Sequence, residues 1–90
     1  MMRLSVEEYA KWKPMFDGLT KTRRAYGSKG GRLFRSANNP NEITILFDWE
    51  DIKKAKDYAQ SDVLKEAMLK AGVIGKPEAS FLEEIEQFKG

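Results

Sequence analysis

Cysteine and histidine are both missing from this chain of 90 residues. Without them it can form no disulfide, no thiolate nucleophile, no histidine-based triad and no His/Cys zinc site. No apolar run approaches the roughly 18 residues that a membrane-spanning helix needs. Met1 to Leu4, ahead of the first helix signal, is also far too short for a signal peptide, so the expected compartment is the cytoplasm and no membrane partner is expected. An excess of charge is absent as well: 16 Lys+Arg against 14 Asp+Glu leave +2. That balance argues against a strongly basic nucleic-acid binder and against an acidic tail. What is present is apolar material, 41% of residues including ten aromatics. That is enough for one small globular domain over residues 1–90 and too much for a disordered chain.

Ser5-Val6-Glu7-Glu8 has the S-x-x-E form of a capping box, which predicts that a helix begins there. Val6, Tyr9, Trp12, Phe16 and Leu19 follow at spacings of three and four and share one helical face. Pro14 is expected to kink or split that helix, with Gly18 as a second weak point. Thr20 to Tyr26 continues it until Gly27, Gly30 and Gly31. Gly31 to Ser36 and Glu42 to Trp49 read as two strands joined by the turn-forming Ala37-Asn38-Asn39-Pro40-Asn41. A five-residue loop sets Ser36 opposite Glu42, Leu33 opposite Ile45 and Gly31 opposite Phe47. One face then carries Leu33, Arg35, Ile43, Ile45, Phe47 and Trp49, and the other Arg32, Phe34, Thr44, Leu46 and Asp48. Ile-Thr-Ile-Leu-Phe lacks the alternation of a half-exposed strand, so cover is expected on both faces.

Glu50 to Gln60 predicts a helix with Ile52, Ala55, Tyr58 and Ala59 inward. Ser61 caps another, carrying Val63, Leu64, Ala67, Met68 and Ala71 and closed by Gly72. Gly75 and Pro77 mark a loop. Phe81, Leu82, Ile85 and Phe88 suit either a helix or a strand; Ser80 to Ile85 is assigned as strand, because a lone hairpin needs more strands to be stable. The order, with a short strand at Met1 to Leu4, is βαββαβ. This is an α+β, ferredoxin-like pattern with helices on one face of a four-stranded antiparallel sheet and only a partner subunit left to cover the other.

Glu8-Tyr9-Ala10-Lys11-Trp12-Lys13-Pro14-Met15-Phe16 resembles the dimeric α+β barrel superfamily, in the group of antibiotic biosynthesis monooxygenases and small cyclase-like proteins. Gly30-Gly31-Arg32-Leu33-Phe34-Arg35, Asn39-Pro40-Asn41-Glu42 leading into Leu46-Phe47-Asp48-Trp49, and Ser61 to Gly75 followed by Phe81-Leu82-Glu83-Glu84 extend the likeness over nearly the whole chain. The resemblance implies a homodimer whose two sheets face each other, and a small-molecule cavity between sheet and helices. It further implies, as one possibility, cofactor-independent oxygenation or cyclisation of an aromatic or polyketide-like substrate, with no cofactor and no metal. The alternative is a non-catalytic dimeric module that binds or senses a ligand. Two features depart from the group: only Met1 to Leu4 precede the Ser5 cap where a longer first strand is usual, and the histidine that haem-degrading relatives require is absent.

Each candidate residue has a plainer reading beside the functional one. Trp12, Phe16, Tyr26, Phe34, Phe47, Trp49, Tyr58 and Phe81 could line a pocket for a flat aromatic ligand or simply fill the core. Asp48, between Phe47 and Trp49, suits general-base work if desolvated; otherwise it caps the following helix or pairs diagonally with Arg32. Arg23, Arg32 and Arg35 could hold an anion or lie on a solvated surface. Asp48 and Arg32 are the catalytic candidates. Gly27-Ser28-Lys29-Gly30-Gly31 lacks the spacing of a phosphate-binding loop and reads as a hairpin entry. Glu83, Glu84 and Glu86 read as a solvated edge rather than metal ligands. The βαββαβ order is shared with RNA-recognition domains, but Glu42 to Trp49 lacks their aromatic motif, so no nucleic-acid partner is expected.

Overall fold

A computed structural model describes residues 1–90. The elements are β1 (Met2–Val6), α1 (Tyr9–Gly18), α2 (Thr20–Ala25), β2 (Ser28–Arg35), β3 (Glu42–Trp49), α3 (Ile52–Ala59), α4 (Asp62–Lys70) and β4 (Val73–Ala79). The order is βαββαβ with each helical layer split in two, and the antiparallel sheet runs β2-β3-β1-β4.

The hairpin has the expected register: Leu33 opposes Ile45, Gly31 opposes Phe47, and the Ser36 amide donates to the Glu42 carbonyl at 2.9 Å. Alternation along β1 turns Met2, Leu4 and Val6 to the helices, where they join Ile43 and Ile45 of β3. Trp12 of α1, Tyr58 of α3 and Leu64 of α4 complete this core. The helices cover that one face. On the other, Phe34 and Ile74 remain 45% and 53% exposed, so the second cover expected for β3 is not supplied by the single chain.

Three expectations are corrected. Ser5 belongs to β1, opposite Glu42 and Ile74, and α1 starts at Tyr9 with no side-chain cap from Glu8. Val6, 1% exposed, is a core residue of the strand rather than of the helix. Its amide bonds to the Asn41 carbonyl and that of Glu7 to the Gly72 carbonyl, each at 2.9 Å, and Asn41 Oδ1 accepts from the Tyr9 amide. The first strand thus extends two residues beyond Leu4 and lies inside the sheet. Second, Gly75 and Pro77 sit within β4, where an irregularity in the pairing with β1 absorbs them. Pro is tolerated there because β4 is an edge strand. Third, Ser80 to Ile85 is not a strand: β1 has given its partners to Val73–Ala79, and residues 80–90 take no regular structure.

Pro14 lies inside an unbroken α1. Its missing N–H frees only the carbonyl of Ala10, an exposed residue that water can serve. The break comes instead after Gly18, at Leu19. Ser61 caps α4 as read, its Oγ accepting from the Leu64 amide at 3.3 Å, and Gly72 follows with φ 79°. Ser61→Ala is expected to lower the unfolding free energy by about 1 kcal/mol, seen as a lower urea midpoint with an unchanged slope; no shift would mean that the cap bond is replaced by water.

Candidate functional site

β1 begins pairing at Met2, opposite Ile45 of β3 and Ala79 of β4. Past Ile45, Leu46 to Trp49 therefore have β2 on one side and no strand on the other. The chain leaving β4 is held across this gap, the Ser80 amide donating to the Met1 carbonyl at 2.8 Å and the Met1 ammonium to the Ser80 carbonyl at 2.7 Å. A cavity of about 830 Å³ lies at this end of the sheet, bounded by β3, α3 and residues 79–84. Because it sits at the sheet's end, both sheet faces reach it: Phe47 and Trp49 from the helix side, Arg32, Leu46 and Asp48 from the other.

Of the aromatics singled out in the sequence, Phe47, Trp49, Tyr58 and Phe81 border this cavity. Trp12, Phe16 and Tyr26 do not: Trp12 is buried in the core, and Phe16 and Tyr26 are half-buried against it. They nevertheless belong to one continuous aromatic chain. Centroid separations are 5.0 Å for Trp12–Phe16, 6.4 Å for Phe16–Phe47, 5.5 Å for Phe47–Trp49, and 5.4 Å each for Trp49–Tyr58 and Tyr58–Tyr26. Phe34 points to the uncovered face and borders a separate concavity of about 350 Å³.

Asp48 and Arg32 share the cavity and lie diagonally on the uncovered face, since Arg32 opposes Leu46 and Asp48 opposes Gly30. Neither structural role foreseen for Asp48 is present. No ion pair joins it to Arg32, and the cap of α3 is Asp51, whose Oδ1 accepts from the Lys54 amide at 2.8 Å. Its flanking aromatics point to the opposite face, so Asp48 is exposed rather than desolvated between them. At the cavity rim Lys54 Nζ donates to Glu50 Oε2 at 2.8 Å, and this partner holds the Glu50 carboxyl below its ordinary range.

Arg23 is a finding of the fold. It is 8% exposed, with no carboxylate partner. Its guanidinium donates to the Phe16 carbonyl at 2.7 Å and to Thr20 Oγ1 at 3.2 Å, and lies 4.0 Å from the Phe16 ring centroid. The signal was available: Arg23 falls four residues after Leu19 and three before Tyr26, in the apolar phase of the helix. Burial pushes the neighbouring Tyr58 hydroxyl above its ordinary pKa, with Arg23 pulling the other way. Arg35 sits at the other end of the hairpin, 4.5 Å from the Tyr9 ring centroid. The glycine-rich segment enters β2 through an irregularity between Ser28 and Gly30, as a hairpin entry does. Glu83, Glu84 and Glu86 belong to no cluster of three or more metal-ligating side chains. Met2, Lys29, Ile52 and Leu82 also border the cavity; only the strand register and the path of the tail bring them there, and no local pattern announces it.

No helix is long and apolar enough to cross a membrane. No family model matches the chain, and no curated protein sequence matches it. Among solved structures it is similar to a candidate antibiotic biosynthesis monooxygenase from Bordetella bronchiseptica, with 21% identity and a TM-score of 0.76 over 94% of this chain and 93% of that one. It is also similar to a second antibiotic biosynthesis monooxygenase structure, with 12% identity and a TM-score of 0.70 over 94% of this chain and 95% of that one. The chain thus has the fold of these two structures, an α+β, ferredoxin-like βαββαβ arrangement with a four-stranded antiparallel sheet.

Proposed function

We infer that this protein is a small-molecule-binding homodimer that takes a flat, hydrophobic phenol into the cavity at the end of the sheet and oxidises it with dioxygen, without a cofactor. The observation that carries this reading is the convergence of Asp48, Arg32 and four aromatic side chains on one space of about 830 Å³. Aromatic walls suit a planar ring, and a few polar groups at the rim suffice to orient it. Asp48 would accept the phenolic proton and Arg32 would hold the resulting phenolate. The electron-rich ring then supplies the electrons itself. One phenol bearing a ring C–H and one O₂ give one quinone and one water, so atoms and electrons balance with no other reductant. The uncovered sheet face, with Phe34 and Ile74 half exposed, supports the dimer.

A second reading, ligand binding without chemistry, is favoured by the exposure of Asp48, since water competes for the hydrogen bonds of a solvent-facing carboxylate. One experiment separates the two. With 1-naphthol as probe, binding followed by thermal shift and titration is expected to weaken about tenfold in Asp48→Asn and in Arg32→Ala, the lower end of what a charge-assisted hydrogen bond contributes. Oxygen uptake matching quinone formation one to one, reduced about a hundredfold in Asp48→Asn, supports the enzyme. Binding with no oxygen uptake supports the module. No response to naphthols or quinones in the wild-type protein defeats both.

A further inference from the structure

The indole of tryptophan and the phenol of tyrosine give up an electron readily, whereas the bare phenyl ring of phenylalanine holds its electrons too tightly to take part. Sorted in this way, the aromatic chain of the core divides in two. Trp49 and Tyr58 border the cavity, and Tyr58 leads on to Tyr26, with 5.4 Å between centroids at each step. Phe47 and Phe16 stand between Trp49 and the other tryptophan, Trp12. Trp12 and its neighbour Tyr9, at 6.0 Å, form a separate pair that does not border the cavity. Centroids roughly 4.5–7 Å apart mark rings in contact. Electron tunnelling falls steeply with distance, so a series of such contacts carries charge where one long step does not.

We propose that Trp49, Tyr58 and Tyr26 form a one-electron relay that draws oxidising equivalents out of the cavity to the protein surface. The relay goes beyond the phenol oxidation inferred above, because it requires an oxidising radical in the cavity and no turnover.

The surroundings of the three residues set their order. Trp49 is half-buried at the cavity, where a radical meets it first. Tyr58 is 2% exposed, and the charged group beside its hydroxyl is Arg23, a cation that accepts no proton. Tyr58 therefore keeps its proton and serves as the bridge. Tyr26 is half-buried and ends the series on the solvent side, where water takes the proton that a tyrosine sheds on oxidation. Near neutral pH a tryptophanyl radical is a stronger oxidant than a tyrosyl radical, so transfer from Trp49 to Tyr26 runs downhill.

Each step balances. The oxidant is a peroxyl radical, the species formed where dioxygen adds to a carbon radical. It takes one electron from the Trp49 indole and one proton from water, forming the O–H bond of a hydroperoxide, while the indole N–H proton passes to water. One electron then moves from Tyr26 across the Tyr58 ring to Trp49, whose nitrogen regains a proton as the Tyr26 hydroxyl loses one. An enediol reductant outside the protein returns one electron and one proton to Tyr26. The sum is one hydrogen atom moved from the enediol to the peroxyl radical.

The test uses full-length protein carrying Trp12→Phe, which leaves Trp49 as the one tryptophan of two. Azide radicals made by pulse radiolysis oxidise tryptophan selectively, so no ligand is needed. The tryptophanyl absorbance is expected to decay as a tyrosyl absorbance grows, at a rate independent of protein concentration, and ascorbate is expected to discharge the tyrosyl radical. Tyr26→Phe, which keeps the ring, and Tyr58→Leu, which removes the bridge, are each expected to abolish that growth, and Tyr9→Phe to leave it unchanged. Far-UV circular dichroism checks the fold of each variant; should Tyr58→Leu unfold, Tyr26→Phe decides alone. Under a water-soluble peroxyl generator with ascorbate present, Trp49 fluorescence is expected to be lost in Tyr26→Phe and kept in its parent. Tyrosyl growth that survives Tyr26→Phe, a tryptophanyl radical that decays only between molecules, or equal loss of fluorescence in parent and variant overturns the relay. Failure of the naphthol assay leaves these results untouched, so the two readings fall separately.

Discussion

Trp12→Ala is expected to lower the free energy of unfolding by about 3–5 kcal/mol, the usual cost of deleting a large buried aromatic. Trp12 is 1% exposed and is among the largest fully buried side chains. It stacks on Phe16 with centroids 5.0 Å apart and 25° between ring planes, and meets Tyr9 at 6.0 Å. It joins α1 to the core formed with Val6 and Ile43. Tyr9 and Phe16 stand on the same helix and can collapse only partly into the space, so the loss combines transfer and cavity terms. Against a total stability of about 5–15 kcal/mol for a domain of this kind, that is a large share. Urea melts followed by far-UV circular dichroism measure it, since the substitution removes one of two tryptophans. A change under about 1 kcal/mol would show that Trp12 faces solvent or an open pocket.

Gly31→Ala is expected to cost about 2–3 kcal/mol, the upper end for overpacking. The requirement here is space: Gly31 is not among the glycines with positive φ. A Cβ at this position would fall on the carbonyl oxygen of Leu46, well inside contact distance, and 3.0 Å from both the Leu46 carbonyl carbon and the Phe47 Cα. These are backbone atoms of the paired strand, so they cannot turn aside as a flexible side chain could; the hairpin must separate locally. Gly18→Ala is the internal control. A Cβ there meets nothing within 4 Å at the end of α1, so that variant is expected to gain about 0.5–1 kcal/mol from reduced backbone freedom. Chemical denaturation of the pair is decisive, and equal stabilities would refute the close approach of β2 to β3. Because Leu46 and Phe47 border the cavity, Gly31→Ala is also expected to weaken naphthol binding, whereas Gly18→Ala is not.

The βαββαβ order, the β2–β3 register, the cap at Ser61 and the glycine closing α4 were legible in the chain itself. The register, the cap and the closing glycine follow from interactions between residues close in sequence; the last strand does not, and stands at Val73–Ala79 rather than at Ser80 to Ile85. A five-residue turn sets the pairing of its flanking strands, and a serine three residues ahead of a free amide can satisfy it. The site was partly legible, since Asp48, Arg32, Trp49, Tyr58 and Phe81 do border one cavity. The rest depended on partners far away in sequence. Ser5-Val6-Glu7-Glu8 carries a sound helix signal worth about 1 kcal/mol. It lost to burial of Val6 in an inner strand, worth about 1.5–3 kcal/mol, with ladder partners in β3 and β4. Phe81, Leu82, Ile85 and Phe88 fit a helix or a strand equally well. Neither formed: Val73–Ala79 take the free edge of β1, and residues 80–90 hold no ladder partner beyond the two bonds between Ser80 and Met1. Whether Asp48 is buried depends on what lies over the sheet, and its neighbours Phe47 and Trp49 turn away from it to the helix side. Local chemistry thus determined the hairpin register and the two ends of α4. Only the tertiary structure decides how β1, β3 and β4 align, because their partners lie far apart in sequence, and that register sets which side chains border the cavity beside Leu46 to Trp49.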